Sequence, residues 1–524
     1  MSQMLKSSGA MGAATLSSRV LGMVREIVYA RFMGDGWVAG AFMLAFTIPN
    51  LFRRLLGEGA LTAAFIPLFK EKEKTASAAE MWRAANALIS GLIASAAGII
   101  ALVVLGVSVA LWVGRFGGQT RLMLELLRVM FPYMLLVCLA AVFVGMLNAR
   151  GHFFIPAMGT TMLNVVMIAS VLLLAPRWGT TLPQQIFALA AGVLVAGVAQ
   201  AAFQLPTLHR EGFRFRWVSP WRDETVQHVV KKMVPGKIGV AAFQINVLLT
   251  QGIAFAFDTQ SAPIVAPFNY AVRLMELPQG VFGISLATYL LPTLAGLAAE
   301  KKFPEFRATL TQGLGYLTYV NLLAAVLLIV LAEPIVRLLF ERGAFTFDST
   351  QRAALALACL APGLVAFSMV NILARAFYAL GDVQTPMKIS VVCLGLNIVF
   401  TFWLVQIYRQ GGLGLANTMS AAFNVYLLGH ALRRKLPQLD LAELRRGVLA
   451  MLPAVALAGL VAWAGGWLWE RLAGHETLAR RIGAVFVPMT ASALAYFGAT
   501  WWARIAQARE VLGLVLRRFD RTKV

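Results

Sequence analysis

The chain has 524 residues, of which 59% are hydrophobic and only 13% charged, and its formal net charge is +22. A soluble protein usually carries about 25% charged residues, so this composition excludes an ordinary soluble domain and indicates a membrane protein. The positive excess lies mainly in short connections between apolar segments. It does not form a basic surface interleaved with aromatic residues, which argues against a nucleic-acid partner.

Residue types that mark catalytic, metal or nucleotide sites are scarce. The three cysteines, Cys138, Cys359 and Cys393, each lie inside an apolar run, and the five histidines form no metal-binding pattern. The sequence has no glycine-rich loop for nucleotide phosphates, and no cofactor is expected. The N-terminal segment lacks a cleavage-like site, so the first helix is expected to stay in the mature protein.

Apolar segments long enough to cross a bilayer recur along the whole chain. Crossing takes about 20 helical residues, and this length predicts an all-α polytopic membrane protein with about fourteen transmembrane helices. The predicted spans are 9–33, 38–66, 84–113, 124–148, 157–176, 185–207, 231–257, 263–293, 309–332, 350–378, 385–406, 411–432, 447–470 and 482–504.

The connections between these helices alternate in charge. Lysine and arginine cluster on one side of the predicted membrane, at 70–83, 210–232, 301–307, 433–446 and 517–523, and are sparser on the other side. The positive-inside rule then predicts that both termini are cytoplasmic. The basic loops are interpreted as topology signals, which also suit contact with anionic lipid.

Two halves of the chain repeat each other weakly. Pro132 and Pro362 are 230 residues apart, and Gly151 and Gly381 have the same separation. Six predicted helices fit in each copy, so the repeat is expected to be parallel, with two six-helix lobes related by a pseudo-twofold axis around a central cavity. The predicted divisions are an N-lobe at 1–210, a basic linker at 211–230, a C-lobe at 231–432, a second basic linker at 433–446, and helices 13 and 14 with a basic tail at 447–524.

Charged side chains interrupt three of the predicted helices. Each costs roughly 2.5–3.5 kcal/mol at the centre of the bilayer on insertion scales, so they are expected to face water or a partner. Arginine presents a planar fork of donors that matches phosphate. The polar residues concerned are Arg19, Arg25 and Glu26 in helix 1, Asn50, Arg53, Arg54 and Glu58 in helix 2, and Arg273 and Glu276 in helix 8.

Two interpretations of these arginines are open. Each could be neutralised by a glutamate on its own helix, or the group could bind an anion. Five arginines and three glutamates leave a surplus of two positive charges. A buried charge needs solvent or a counter-ion, so the surplus favours an anionic, phosphate-bearing ligand.

Three segments carry a resemblance to a known family. They are SRVLGMVRE at 18–26, AFMLAFTIPNLFRRLLGEGALTAAFIPLF at 41–69, and YAVRLMELPQGVFGISLATYLLPTL at 270–294. On these segments the chain resembles the lipid II flippase family MurJ, of the multidrug/oligosaccharidyl-lipid/polysaccharide exporter superfamily. The resemblance extends over essentially the whole chain, including two additional C-terminal helices.

The resemblance implies two lobes that form a V around a cationic cavity, with helices 13 and 14 as a groove for a lipid tail. Members of the family carry lipid II, the undecaprenyl-diphosphate-linked precursor of peptidoglycan, from the inner to the outer leaflet of the bacterial cytoplasmic membrane. Membrane phospholipids and the cell-wall synthesis machinery are further expected partners. The implied substrate-binding residues are Arg19, Arg25, Arg53 and Arg273, and the supporting residues are Glu26, Asn50, Arg54, Glu58 and Glu276.

The chain departs from the family pattern at three positions. Gly40 stands where the family often has an acid, Glu26 replaces an aspartate, and Val272 stands where some members have aspartate. These changes leave the implied anion site intact but put a carboxylate relay in doubt.

The coupling ion is left open. Some relatives bind sodium in the second lobe, and Asn246 and Asn371 are possible ligands here, although Arg375 one turn from Asn371 is an unfavourable neighbour for a cation. The membrane potential is the other energy source, because it favours outward movement of an anion by about 2.3 kcal/mol per charge for each 100 mV.

Other functions are compatible with parts of the sequence. A flippase for another polyprenyl-diphosphate-linked oligosaccharide would use the same arginines, whereas a drug exporter is expected to expose acids and aromatic residues. A membrane-embedded glycosyltransferase would need a general base or metal-binding carboxylates. Its candidates, Asp35, Asp258 and Asp348, are isolated on short loops. An alternating-access flippase for lipid II, with no enzymatic activity, is therefore the predicted function.

Overall fold

The structure is a computed structural model that describes residues 2–52, 60–221, 223–259, 261–439 and 441–510, and in these ranges it contains helices and no strand. The helices are α1 (Ser2–Met33), α2 (Trp37–Phe52), α3 (Ala60–Thr75), α4 (Ala78–Val113), α5 (Gly118–Met130), α6 (Tyr133–Ala149), α7 (Phe154–Ala169), α8 (Ala175–Trp178), α9 (Leu182–Arg210), α10 (Glu224–Ala256), α11 (Val265–Pro278), α12 (Ser285–Ala299), α13 (Phe303–Val330), α14 (Ala332–Phe340), α15 (Phe347–Leu360), α16 (Gly363–Ala379), α17 (Gln384–Tyr408), α18 (Gln410–Lys435), α19 (Leu441–Leu472) and α20 (Leu478–Trp502). Turns of π-helix follow α7 at Ser170–Leu174 and α11 at Gln279–Ile284.

The expected all-α membrane class is confirmed. Among the described residues, seven helices are long and apolar enough to cross a membrane, or nine if each of two bent helix pairs is one span. Helix α1 is not among these candidates because charged residues lower its hydropathy. Helices α2 and α12 are not among them because they are too short. A total of fourteen crossing helices stays a prediction.

Several helices that were predicted as continuous spans are interrupted in the structure. Proline lacks the amide hydrogen that the helix needs, and α5 and α6 meet at Pro132 with a bend of 43°. Predicted helix 8 is divided into α11 and α12 by the π-helical turn that follows Pro278. The short helix α14 was not predicted, because only Leu331 separates it from α13.

The chain divides into two compact units. The first comprises residues 1–266 with 342–345, and the second comprises residues 267–341 with 346–524. Helix α10, which the sequence analysis assigns to the C-lobe, packs against α2, α3 and α4 of the first unit. Segment 342–345 joins this unit through Ala344, whose backbone amide donates to the carbonyl of Arg31 at 2.9 Å. The predicted lobe boundaries stay a prediction.

The spacing of 230 residues marks the same structural feature in each unit. The bend of 43° at Pro132 recurs as a bend of 44° at Pro362, between α15 and α16. Two residues after the end of the helix that follows each bend lies a glycine in the left-handed region, Gly151 at φ 85° and Gly381 at φ 75°. A residue with a Cβ is strained there, so these glycines are required by the turn that joins consecutive helices.

Ion pairs fix these two turns to the end of a neighbouring helix. In the first unit, Arg150 Nε donates to Glu211 Oε2 at 2.7 Å and also contacts Glu73, while His152 Nε2 lies 2.8 Å from Glu211 Oε1. Hydrogen bonds from His152 and Arg150 lower the pKa of the Glu211 carboxyl. In the second unit the two charges are exchanged: the acidic residue, Asp382, is in the turn, and the basic residue, Lys435, is at the end of α18.

The Asp382–Lys435 pair predicts a pH-dependent contribution to stability. Burial raises the pKa of Asp382, but hydrogen bonds from Lys435 and Thr385 lower it by more, so the net pKa is below its usual value. The stabilisation is then present above the unfolded-state pKa of about 3.9 and is lost as the pH falls through the lower folded-state value. We expect Asp382→Asn to reduce the free energy of unfolding by about 1–3 kcal/mol at neutral pH.

Thermal unfolding in detergent at neutral pH and below about pH 4 measures this difference. The deficit of the Asp382→Asn variant should shrink as the pH falls below about 4 and disappear only below the lowered folded-state pKa. Glu300→Gln is the control, because the pair of Glu300 with Lys302 is exposed and should leave stability unchanged. An Asp382→Asn variant as stable as the wild type at neutral pH would contradict the assignment.

Helices α19 and α20 pack on α13 inside the second unit. The rings of Tyr319 and Tyr496 lie 5.1 Å apart, and the hydroxyl of Tyr496 donates to the backbone carbonyl of Tyr319 at 2.9 Å. Ser492 Oγ donates to the carbonyl of Ala458 at 2.7 Å, which joins α20 to α19. Buried polar groups that are satisfied in this way fix the register of the three helices.

Candidate functional site

Arg25 and Glu26 on α1 form an ion pair that is largely shielded from solvent. Their side chains are 14% and 8% exposed, and Arg25 Nη2 lies 2.5 Å from Glu26 Oε1. The guanidinium carbon of Arg25 also lies 5.6 Å from the centre of the Tyr29 ring, within the range of a cation–π contact. Neutralisation of Arg25 by Glu26, one of the two open interpretations, is therefore observed.

Helix α7 holds Arg25 from the other side. Asn164 Oδ1 accepts from Arg25 Nη1 at 3.1 Å, and Asn164 Nδ2 donates to the carbonyl of Ser18 at 3.1 Å. One turn away, the hydroxyls of Ser18 and Thr160 lie 2.9 Å apart. Because Asn164 uses both ends of its amide in this way, it fixes the direction of the guanidinium as well as the packing of α1 on α7.

Arg19 differs from Arg25 in its surroundings. It lies on α1 with its side chain exposed, and it forms no ion pair within the part of the chain that the structure describes. Asn50 is half-buried near the end of α2, one turn after Thr47, whose hydroxyl donates to Gln251 on α10 at 3.3 Å. The predicted site residues Arg53, Arg54 and Glu58 lie outside the described residues.

In the second unit, Arg273 and Glu276 form an open pair on α11. Arg273 Nη1 donates to Glu276 Oε2 at 2.9 Å, and the two side chains are 39% and 48% exposed. An exposed pair one helical turn apart contributes at most about 1 kcal/mol to stability. An anion with more than one oxygen can therefore displace Glu276 from Arg273 at little cost, whereas the buried pair on α1 is a fixed part of the fold.

Arg375 on α16 is a candidate that sequence reasoning considered only as a neighbour of Asn371. Its Nη1 donates to Thr288 Oγ1 on α12 at 3.0 Å. It has no carboxylate partner among the described residues. This is unusual for a charged residue on an apolar helix such as α16, where a charge is costly without a partner. The signal in the sequence was a single positive charge inside an apolar segment, the same signal that identified Arg19.

The departure at position 40 has a structural counterpart. A Cβ atom built on Gly40 would lie 2.9 Å from Asp258 Oδ2, so the space beside this glycine is occupied by a carboxylate from the loop after α10. Asp258 is buried, and its other oxygen accepts from the backbone amide of Ile264 at 3.1 Å. An acid is therefore present next to position 40, although it comes from a distant part of the sequence.

The two proposed ion ligands belong to different units. Asn246 on α10 is buried, and its Oδ1 has no hydrogen-bond partner in the described part of the chain. Asn371 Nδ2 donates to the carbonyl of Phe367 in its own helix at 3.0 Å. No group of three His, Cys, Asp or Glu side chains that could hold a metal ion occurs among the residues described. The coupling ion stays open.

Comparison with known proteins gives one consistent family. The family model described as Lipid II flippase MurJ matches residues 29–481. A probable lipid II flippase MurJ of Vibrio cholerae is 32% identical over 482 residues, which cover 89% of each chain. The lipid II flippase MurJ of Burkholderia cenocepacia is 32% identical over 501 residues, which cover 93% of this chain and 95% of the relative.

Solved structures show a similar fold. The chain is similar to a lipid II flippase MurJ in an inward closed conformation, with a TM-score of 0.76, 21% identity, and coverage of 94% of this chain and 98% of that one. It is also similar to an inward-facing multidrug resistance transporter of the MATE family, with a TM-score of 0.63 and 15% identity over 82% of this chain and 99% of that one.

Proposed function

The chain belongs to the lipid II flippase MurJ family, a family of multi-pass membrane transporters and not of enzymes, and on this premise we propose that it moves lipid II across the bacterial cytoplasmic membrane. The proposed direction is from the inner to the outer leaflet, by alternating access, with both termini in the cytoplasm. The observation that carries the proposal is the family match over residues 29–481.

The proposed ligand-binding groups are the arginines of helices α1 and α11 and of the segment after α2. Their forked donors suit the diphosphate of lipid II. Arg25 is already oriented by Glu26 and Asn164. Arg273 exchanges its exposed contact with Glu276 for a phosphate oxygen. The full proposed set is Arg19, Arg25, Arg53 and Arg273, supported by Glu26, Asn50, Arg54, Glu58 and Glu276.

The lipid tail and the driving force complete the proposal. The polyprenyl chain stays in the bilayer, along the apolar helices α19 and α20, while the diphosphate crosses with the arginines. A potential that is negative inside favours outward movement of the anion, by about 2.3 kcal/mol per charge for each 100 mV. The same potential returns the empty, positively charged site towards the cytoplasm.

Sealed vesicles with labelled lipid II test this function. We expect the wild type to expose the head group to an impermeant reagent outside, and Arg19→Ala or Arg53→Ala to prevent this while the protein remains folded. Arg480→Ala is the control, because Arg480 lies at the start of α20 and only approaches Glu476 at 3.5 Å. Normal flipping in variants of all four proposed arginines would contradict the assignment.

The same vesicles separate the driving force and the substrate. Collapse of the membrane potential should slow transport, and an unchanged rate would remove the reset by voltage. A flippase for another polyprenyl-diphosphate-linked oligosaccharide is distinguished by supplying that lipid in place of lipid II. Equal rates with both lipids would place recognition in the diphosphate alone.

A further inference from the structure

A cavity of about 370 Å³ with both polar and apolar lining residues opens in the second unit where three helices begin or end. One wall is the first half of α13, another is the start of α19, and the third is the segment that follows α20. The volume is within the range of about 300–1,000 Å³ that is typical of sites for small ligands. The lining is rich in amides and hydroxyls, among them Thr311, Tyr316, Gln438 and Gln507.

The position of the cavity corresponds to the head-group layer of a membrane. Its lining residues lie at the beginning of two candidate membrane spans, Phe303–Val330 and Leu444–Leu472, and just beyond the end of a third, Leu478–Trp502. Trp501 and Trp502 at that end are 49% and 87% exposed. Tryptophan is enriched at the boundary between hydrocarbon and water, so the cavity is at the depth of lipid head groups.

Two opposite charges line this cavity without pairing. Arg307 on α13 and Glu510 after α20 both contribute to the wall. They form no ion pair with each other among the described residues, and Arg307 has no other acidic partner there. Glu510 Oε2 accepts from Gln312 Nε2 at 3.3 Å, and the same nitrogen lies 3.2 Å from the hydroxyl of Tyr316. The cavity therefore presents a cation at one place and an anion at another.

We propose that this cavity binds the head group of a phospholipid that carries both a phosphate and a primary ammonium group. The phosphate contacts Arg307, and the ammonium group contacts Glu510 and the neighbouring amide and hydroxyl oxygens. Arg307 and Glu510 are then each paired with a group of opposite charge. A purely anionic or a purely cationic ligand would pair with only one of them. The site is separate from the proposed diphosphate site, because none of the proposed arginines lines it.

The same features disfavour other phospholipids. A head group with phosphate and glycerol brings no positive charge for Glu510, and its negative charge is repelled by that carboxylate. A trimethylammonium group has no hydrogen to donate, and the cavity offers it a single aromatic ring, Tyr316, instead of the aromatic cage that such groups prefer. The primary amine is therefore the distinguishing feature.

Native mass spectrometry of the full chain tests the proposal with three phospholipids of identical acyl chains, whose head groups are phosphoethanolamine, phosphocholine and phosphoglycerol. We expect the wild type to bind the phosphoethanolamine lipid about tenfold more tightly than the other two, the effect of one charged hydrogen bond. Glu510→Gln should abolish this preference while binding of the phosphate persists. Arg307→Gln should weaken binding of all three lipids.

Two further variants control for folding and for nonspecific charge. Arg446→Gln removes an exposed arginine of α19 that does not line the cavity, and the preference should be unchanged. Gly447→Leu narrows the cavity: a Cβ atom at Gly447 meets nothing within 4 Å, so the added side chain starts in open space. We expect this variant to unfold at the wild-type temperature and to lose the preference.

Two results would overturn the proposal. One is equal binding of the three lipids by the wild type. The other is tighter binding of the phosphoglycerol lipid or of lipid II than of the phosphoethanolamine lipid by the wild type, which would assign the cavity to anionic lipids or to the transported substrate. The two proposals are tested separately, because transport is measured in vesicles and head-group preference by mass spectrometry. A protein that does not transport lipid II but keeps the head-group preference would contradict only the proposed flippase activity.

Discussion

An Arg25→Ala variant is expected to lose both lipid transport and much of its thermal stability. Removing the guanidinium takes an ion-pair partner from the buried, charged Glu26, and it removes a donor to Asn164. Breaking a buried pair by deleting one partner usually costs about 3–5 kcal/mol. Thermal unfolding in detergent and head-group exposure in vesicles measure the two losses.

A double variant separates the structural role of Arg25 from its proposed role in binding. Arg25→Met with Glu26→Gln replaces the ion pair by neutral side chains of similar size, and such replacements of buried pairs are often neutral or stabilising. We expect the melting temperature to recover and transport to remain absent. A double variant that transports lipid II at the wild-type rate would show that Arg25 serves only the packing of α1 on α7.

Arg273→Ala is expected to behave in the opposite way, with transport abolished and stability almost unchanged. The pair with Glu276 is exposed, so its loss should cost at most about 1 kcal/mol of stability. Loss of a charged contact to a bound phosphate costs about 2–5 kcal/mol, which corresponds to a roughly 30-fold or greater reduction in affinity. Binding of labelled lipid II to the purified protein measures this difference.

Glu276→Gln is the matched control for Arg273. It breaks the same ion pair but keeps the arginine, so stability should again be unchanged while affinity for the diphosphate is maintained or increased. If Glu276→Gln weakened binding as strongly as Arg273→Ala, the pair itself would be the functional element. Arg273 would then not be a ligand for phosphate.

Much of the helical framework could be predicted from the sequence, because local rules determine it. Apolar length predicted most of the helices, and the common spacing of 230 residues between Pro132 and Pro362 and between Gly151 and Gly381 indicated a shared feature, but the bends at the two prolines were not predicted. The elements that were not predicted are short or irregular. The helix α14 and the π-helical turn at Gln279–Ile284 directly follow other helices, and neither their length nor their composition separates them from those helices.

The candidate site could be predicted only in part, because side-chain partners depend on contacts between distant segments. Arg25 and Arg273 were identified by their charge. Helical spacing predicted that Glu276 pairs with Arg273, whereas the sequence left open whether Glu26 pairs with Arg19 or with Arg25. The contact of Arg25 with Asn164 joins residues 139 positions apart, and no local pattern indicates it. The bond between Arg375 and Thr288 has the same character. Such contacts require the packing of whole helices.

The proximity of Gly40 to Asp258 couples two positions that are far apart in the sequence. A side chain at position 40 would meet the carboxylate that reaches in from position 258, and aspartate at both positions would place two negative charges close together. The effect of a substitution at either position is therefore expected to depend on the residue at the other.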